Sequence, residues 1–279
     1  MENLYQKISY QSSKNVTNVY STSFSLAVKM LSPKIQQDIY SIYGFVRIAD
    51  EIVDSFHEFD KETLLNEFET EMKTALDRKI STNPIINSFQ EVVHKYNIDT
   101  EYIDAFMKSM RVDLYKQTYS TQAEYEEYIY GSADVVGLMC LKIFVNGNQA
   151  EFDRLKASAM KLGSAFQKVN FLRDLKDDSE LLQRSYFPHL KDSEISNKTK
   201  EEIINEIKAD FDAAYLGIKG LPKEAKFGVY TAYVYYKQLL FKLENTNFEL
   251  LKTKRIRVSN AMKSFLLVKS YLKYNLKMI

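Results

Sequence analysis

One cysteine, four prolines and eight glycines are all that 279 residues offer to staple, stop or bend the chain. A lone Cys140 excludes an internal disulfide framework, and three scattered histidines, His57, His94 and His189, exclude a zinc site of the usual kind. Such sparse cysteine fits a reducing compartment, so a cytoplasmic protein is expected. Glycine and proline together fill 12 of 279 positions, about a third of their usual share, which argues against sheets with many turns. Neither G-x-G-x-x-G nor G-x-x-x-x-G-K-S/T can be written from the eight glycines, so nucleotide loops of both kinds are excluded. Charge of one sign is scarce too. Lys+Arg 38 against Asp+Glu 37 leaves a net charge near +1, with no overall field to gather nucleic acid or an anionic membrane. The longest uncharged apolar stretch, Val135 to Leu141, falls far short of the roughly 20 residues that span a bilayer. Met1 to Ser13 has no apolar signal-peptide core. The chain is expected to be soluble, or at most peripheral at a membrane.

What the sequence has is helical periodicity. Apolar residues recur at three and four almost everywhere, which predicts an all-α fold. Helices are expected over Lys34 to about His57, Lys61 to Arg78, Pro84 to Tyr96, Thr100 to Leu114, Gln122 to Val145 and Gln149 to Asp178. Three more are expected over Lys198 to Tyr215, Pro222 to Asn245 and Val258 to Asn275. The breaks at Ser81 to Pro84, Asn146 to Asn148, Ser179 to Ser193 and Lys219 to Pro222 are short punctuation between helices. With no linker and no repeat, residues 1–279 read as one helical domain.

The helix from Lys34 carries Tyr43, Arg47, Asp50, Glu51 and Asp54 on one face, while its other faces are aliphatic and aromatic. Acid pairs at i, i+4 arise by chance in a chain this rich in acids, so one stripe alone is weak. A second changes the odds: Gln167, Asn170, Asp174 and Asp178 stand at i, i+3, i+7 and i+11, again on one face. Facing each other, the two stripes would build an oxygen-lined pocket in an apolar bundle. Carboxylates and an amide without Cys or His are hard ligands, suited to Mg²⁺ or Mn²⁺ and poor for zinc or iron. Mg²⁺ completes its octahedron with water and phosphate oxygens, so a diphosphate substrate is expected.

Five segments carry a resemblance. Tyr20-Ser-Thr-Ser-Phe24, Tyr43-Gly-Phe-Val-Arg47-Ile-Ala-Asp50-Glu-Ile-Val-Asp54, Tyr128-Ile-Tyr130-Gly-Ser-Ala-Asp-Val-Val-Gly137, Gln167-Lys-Val-Asn170-Phe-Leu-Arg173-Asp174-Leu-Lys-Asp-Asp178 and Arg184-Ser-Tyr186-Phe-Pro188 resemble, in order and spacing, the squalene and phytoene synthases. Leu221-Pro-Lys-Glu-Ala225 and Arg255-Ile-Arg-Val-Ser259 extend it over nearly the whole chain, whose texture is most like the bacterial phytoene synthases. The resemblance implies an isoprenoid synthase helical bundle with a central cavity. It implies Mg²⁺ on Asp50, Asp54, Asn170, Asp174 and Asp178, and isoprenyl diphosphate contacts from Ser21, Ser23, Arg47 and Arg173. Tyr130, Gln167 and Tyr236 would stand near the reacting carbons, Phe24 and Tyr43 in the substrate pocket, and Arg184 and Tyr186 on the following loop. The implied reaction is head-to-head condensation of two geranylgeranyl diphosphates to phytoene, without NADPH. The alternatives are a squalene or dehydrosqualene synthase that takes farnesyl diphosphate, NADPH entering only for squalene, and a non-catalytic assembly or lipid-binding protein of the same ancestry. Oligomeric state stays open.

Phe24, Tyr40, Phe45, Phe166 and Phe171 could supply ring faces to a dry cavity, while for any single one of them ordinary core packing is the simpler expectation. Asp134 stands where relatives usually have a small residue and could narrow or polarise the cavity wall. Cys140 reads as a buried small hydrophobe; Lys252, Lys254, Arg255 and Arg257 form a basic run that could meet anionic lipid or a diphosphate, a solvated run being the simpler expectation. The segment from Met262 to Ile279 mixes apolar residues with lysines and reads as a last core helix that could also touch a membrane.

Overall fold

Polar residues placed just before apolar runs start the helices. Asn3, Ser21, Asp60, Asn83, Asn148, Asn247 and Ser259 each accept a backbone N–H of the turn that follows, and Thr121 with Glu124 forms a reciprocal capping box. The computed structural model describes residues 3–175, 186–188 and 197–279. In chain order the helices are α1 (Leu4–Tyr20), α2 (Thr22–Lys29), α3 (Pro33–Ser55), α4 (Lys61–Arg78), α5 (Pro84–Tyr96), α6 (Thr100–Asp113) and α7 (Gln122–Ile129). A π-helical turn (Tyr130–Asp134) leads into α8 (Val135–Phe144), followed by α9 (Gln149–Arg173), α10 (Asn197–Gly220), α11 (Lys223–Glu244), α12 (Phe248–Leu251) and α13 (Asn260–Asn275). No strand occurs among the described residues, so the all-α expectation holds.

Two helices at the start escape periodicity analysis for a chemical reason. The buried face of α1 is made of Ser9, Ser13 and Thr17, all fully enclosed, with Tyr10 beside them. Their hydroxyls replace apolar contacts: Ser13 Oγ lies 2.7 Å from Ser88 Oγ, and Asn87 of α5 donates to Ser9 Oγ at 3.1 Å. Gly44 of α3 gives α1 room, since a Cβ there would stand 2.9 Å from the Ser13 Cβ.

The helix expected from Gln122 to Val145 is instead broken by the π turn, a correction with a steric cause. A Cβ at Gly131 would stand 1.9 Å from Ser109 Oγ and 2.7 Å from the Ala105 carbonyl, so the turn lies directly on α6. On its other side, a Cβ at Gly163 of α9 would meet the Ala133 carbonyl at 2.8 Å. The extra residue per turn lets the backbone pass between α6 and α9.

Helix α3 divides the interior. Phe45 stacks on Phe89 at 3.8 Å and on Phe68 at 5.3 Å, in a solid core with α4, α5 and α6. Two residues correspond to about 200° of rotation, so Tyr43 points the other way, into a cavity.

Candidate active site

The cavity holds about 300 Å³, and each of its walls is one stripe of a helix. From α3 come Ile39, Ile42, Tyr43 and Val46, and from α8 Val136, Gly137, Cys140, Leu141 and Phe144. The α9 stripe runs without interruption from Leu155 through Ala159, Leu162, Gly163, Phe166 and Gln167 to Asn170. The fifteen helical steps from Leu155 to Asn170 make this wall about 22 Å long. Residues of α2, α10 and α11 close the remainder.

Apart from the hydroxyls of Ser132 and Ser158, the polar side chains of the lining gather at one end. Tyr43, Gln167, Asn170 and Tyr236 line the cavity there, with Tyr236 Oη 3.3 Å from Asn170 Oδ1. Phe24 stacks on Tyr43 at 4.6 Å and Phe166 on Tyr236 at 4.0 Å, so aromatic faces brace both tyrosines. Burial pushes the Tyr43 hydroxyl up to about 12, against the opposing pull of Arg47. One helical turn beyond Tyr43 comes Arg47, then Asp50; one turn beyond Asn170 comes Asp174. The two predicted stripes therefore start at the polar end of the same cavity and continue outward.

Arginines neutralise the acids there. Arg47 bonds to both Asp50 and Glu51, and its guanidinium lies 4.4 Å from the Tyr20 ring centre. Burial works against the Arg47 charge, but Asp50 and Glu51 outweigh it and raise its pKa. Its Nε is buried and has no acceptor among the described residues, a donor suited to an anion. Arg173 bonds to Asp174 through Nε at 2.9 Å, and Arg255 reaches the same carboxylate at 2.8 Å. Among the described residues no three His, Cys, Asp or Glu side chains converge as a metal cluster. The donor chemistry nonetheless fits a hard cation. Asp50 and Asp174 are a third and a fifth exposed, and the amide oxygen of Asn170, one turn before Asp174, would add a neutral ligand.

The other expected site residues are spread over several elements. Ser21 caps α2 by accepting from the Phe24 N–H at 3.2 Å, Ser23 is half-buried in the first turn, and Asp54 is half-buried one turn past Asp50. Tyr130 opens the π turn without lining the cavity, and Tyr186 stacks on Phe171 at 4.0 Å in an aromatic cluster with Tyr119 and Tyr128. Asp178, Arg184 and His189 lie outside the described residues. Of the five expected aromatics, Phe24 and Phe166 line the cavity. Tyr40, Phe45 and Phe171 do not: each faces away from it and is packed in the solid core. Asp134 also differs from expectation, since it is not a wall residue. It accepts from Ser164 Oγ at 2.7 Å behind the wall, and burial raises its carboxyl to about 6. Cys140 is half-buried and lines the apolar cavity wall, with its thiol pushed up to about 12 by burial.

Two polar groups differ from the sequence reading. Arg255 is not part of a solvated run but is turned onto Asp174, and its place in Arg255-Ile-Arg-Val-Ser259 is the signal that distinguishes it. Ser132 lines the cavity with a buried hydroxyl that has no partner among the described residues, and nothing local marks it.

Known proteins share both sequence and shape. Phytoene synthase from Cucumis melo chloroplasts is 28% identical over 271 residues, covering 90% of this chain and 64% of the relative. The chain thus spans just under two thirds of that relative's length. The 15-cis-phytoene synthase of Synechocystis is 27% identical, covering 86% of this chain and 77% of the relative. A dehydrosqualene synthase crystal structure superposes with a TM-score of 0.80 at 22% identity, over 97% of this chain and 98% of the other. A squalene synthase from Alicyclobacillus acidocaldarius gives 0.74 at 20% identity, over 86% and 95%. The architecture is the isoprenoid synthase helical fold. With the squalene/phytoene synthase profile matching residues 17–261, the chain belongs to the squalene/phytoene synthase family.

Proposed function

We propose that the protein joins two molecules of geranylgeranyl diphosphate head to head, through prephytoene diphosphate, to give phytoene with release of diphosphate, a step of carotenoid formation. The observation that carries this reading is the apolar cavity whose one polar end runs on into two arginine–carboxylate clusters. An α9 wall of about 22 Å matches four extended isoprene units, on the order of 20 Å from carbon–carbon bond lengths. Such a molecule has a long hydrocarbon tail and a highly charged head, and the cavity is divided in the same way. The relatives named phytoene synthases point in the same direction.

Asp50, Asp54, Asn170, Asp174 and, outside the described residues, Asp178 would hold Mg²⁺, with Mn²⁺ an acceptable substitute. When bound, the metal supplies charge neutralisation to a departing diphosphate. Arg47 and Arg173 would grip the diphosphate oxygens, with Ser21 and Ser23 beside them. The carbon–oxygen bond of the donor breaks with its electron pair leaving on diphosphate, and the acceptor double bond attacks the allylic cation. Loss of a proton closes the cyclopropane of the intermediate; a second ionisation releases its diphosphate, and rearrangement followed by loss of a second proton gives the 1-1′ linked product. The chain's part is to keep water out with apolar walls and to turn the rings of Phe24, Tyr43, Phe166 and Tyr236 toward positive charge. Gln167, at the polar end of the cavity, would stand near the reacting carbons, whereas Tyr130 does not line the cavity.

The test is incubation of purified protein and Mg²⁺ with geranylgeranyl or farnesyl diphosphate, with and without NADPH, and identification of the hydrocarbons by mass. A C40 hydrocarbon from geranylgeranyl diphosphate without NADPH is the expected result. A C30 product from farnesyl diphosphate alone would move the protein to the squalene or dehydrosqualene branch, the activity named for its structural neighbours. No product and no diphosphate release from either would favour a non-catalytic helical protein of the same ancestry.

A further inference from the structure

Helix α13 is apolar on two opposite faces. On its inner face Leu266 and Ser270 are buried, and Phe227 of α11 meets the rings of Tyr271 and Tyr274 at 5.9 and 5.3 Å. On the outer face Phe265, Val268, Leu272 and, just past the last turn, Leu276 follow one another at i, i+3, i+7 and i+11, each more than half exposed. Only two α13 side chains are buried, so the expectation of an ordinary last core helix is not met. A surface helix normally turns charge, not an apolar stripe, toward water.

Charge is distributed to match. The last 28 residues hold eight basic side chains and no acid, which leaves 30 basic against 37 acidic in the first 251. The near-zero total therefore hides a strongly basic end. Arg255 is turned onto Asp174 and Lys252 onto Glu249, whereas Arg257, Lys269, Lys273 and Lys277 make no ion pair among the described residues. Along the side of the apolar stripe where Lys269 and Lys273 stand runs a groove of about 420 Å³, lined by Tyr215, Tyr230 and Tyr233 and by Lys237, Lys269 and Lys273.

We propose that this face docks the protein on an anionic lipid bilayer. Phe265, Val268, Leu272 and Leu276 enter the headgroup boundary, and the groove lysines meet lipid phosphates while their stems lie along the apolar surface. This is attachment in the plane of the membrane: no described helix is long and apolar enough to cross one. The proposal rests on the surface alone and stands or falls independently of the prenyl-transfer reading.

Co-pelleting of the whole chain, without substrate, tests it. Vesicles of phosphatidylcholine with about one third phosphatidylglycerol are expected to carry the protein down at low salt, and pure phosphatidylcholine much less so. Leu272→Glu, at a residue already 56% exposed, is expected to lower binding about tenfold with unchanged circular dichroism. Removing Lys237, Lys269 and Lys273 together is expected to lower it about a hundredfold, roughly fivefold for each lysine. Wild-type protein left in the supernatant with anionic vesicles overturns the proposal, as does a Leu272→Glu variant that pellets like wild type. So does a wild-type dimer that Leu272→Glu splits in the absence of vesicle binding, which would make a second copy of the chain the occupant.

Discussion

Arg255 Nε stands 2.8 Å from Asp174 Oδ1, tying the segment after α12 to the C-terminal end of α9. Asp174 thus carries two guanidiniums, one from its neighbour Arg173 and one from 81 positions along the chain. With a cation on the carboxylate, the same guanidiniums are placed to bind a diphosphate. Arg255→Gln is expected to lower kcat/KM about tenfold to a hundredfold, the worth of one charge-assisted hydrogen bond. Lys252→Gln, which breaks a pair with Glu249 and a contact with the Phe248 ring, both away from Asp174, serves as the neighbouring control and should stay within about twofold. Steady-state kinetics on the two variants decides the matter; equal losses would return Arg255 to the solvated run.

The two oxygen stripes are a joint hypothesis, so each needs its own variant. Asp50→Asn and Asp174→Asn keep the shape of the side chain and remove its charge. Turnover with Mg²⁺ should fall by orders of magnitude in both, with helical circular dichroism unchanged. Unchanged activity in either purified variant would remove that stripe from the metal site.

Behind the cavity wall, Asp134 makes stability depend on pH. Burial raises its carboxyl from 3.8 to about 6, so between those values the folded protein keeps a proton that the unfolded chain has lost. Stability therefore falls as pH rises through that window and levels off above it, by on the order of 3 kcal/mol at full effect. Asp134→Asn retains an acceptor for Ser164 and never ionises. Relative to wild type, its Tm should be higher near neutral pH, with the advantage gone at about pH 4. Thermal melts across that range check this; an offset independent of pH would refute it.

Cavity length should select substrate length. Ala159 lines the α9 wall eleven residues from Asn170, about 16 Å from the polar end. Ala159→Phe fills that level. Turnover of geranylgeranyl diphosphate is expected to drop more than about tenfold while farnesyl diphosphate is still accepted, read as a shift in hydrocarbon mass. Parallel loss on both substrates would mean that the tail does not reach this depth.

The sequence by itself determined the helical class, the boundaries of most helices, the α3 stripe and the α9 stripe as far as Asn170. These are local properties: a 3.6-residue period, a capping residue or a shared helical face is decided within a few turns of chain. The resemblance carried by five motifs was equally local, and the family followed from it. Contacts between distant residues decided the rest. Phe24 and Phe166 line the cavity while Phe45 and Phe171 lie in solid core, and no property of a phenylalanine distinguishes them before the helices are packed. The face of α1 was invisible because it is built from serines that meet α5 some 75 residues away. The π turn depends on how closely Gly131 approaches Ser109, and Arg255 gained its place only when the last quarter of the chain folded back onto α9. A neutral total charge concealed a basic end whose meaning rests on an apolar stripe left uncovered by α11. Periodicity shows that a helix has an apolar face; only the packed structure shows whether another helix covers it.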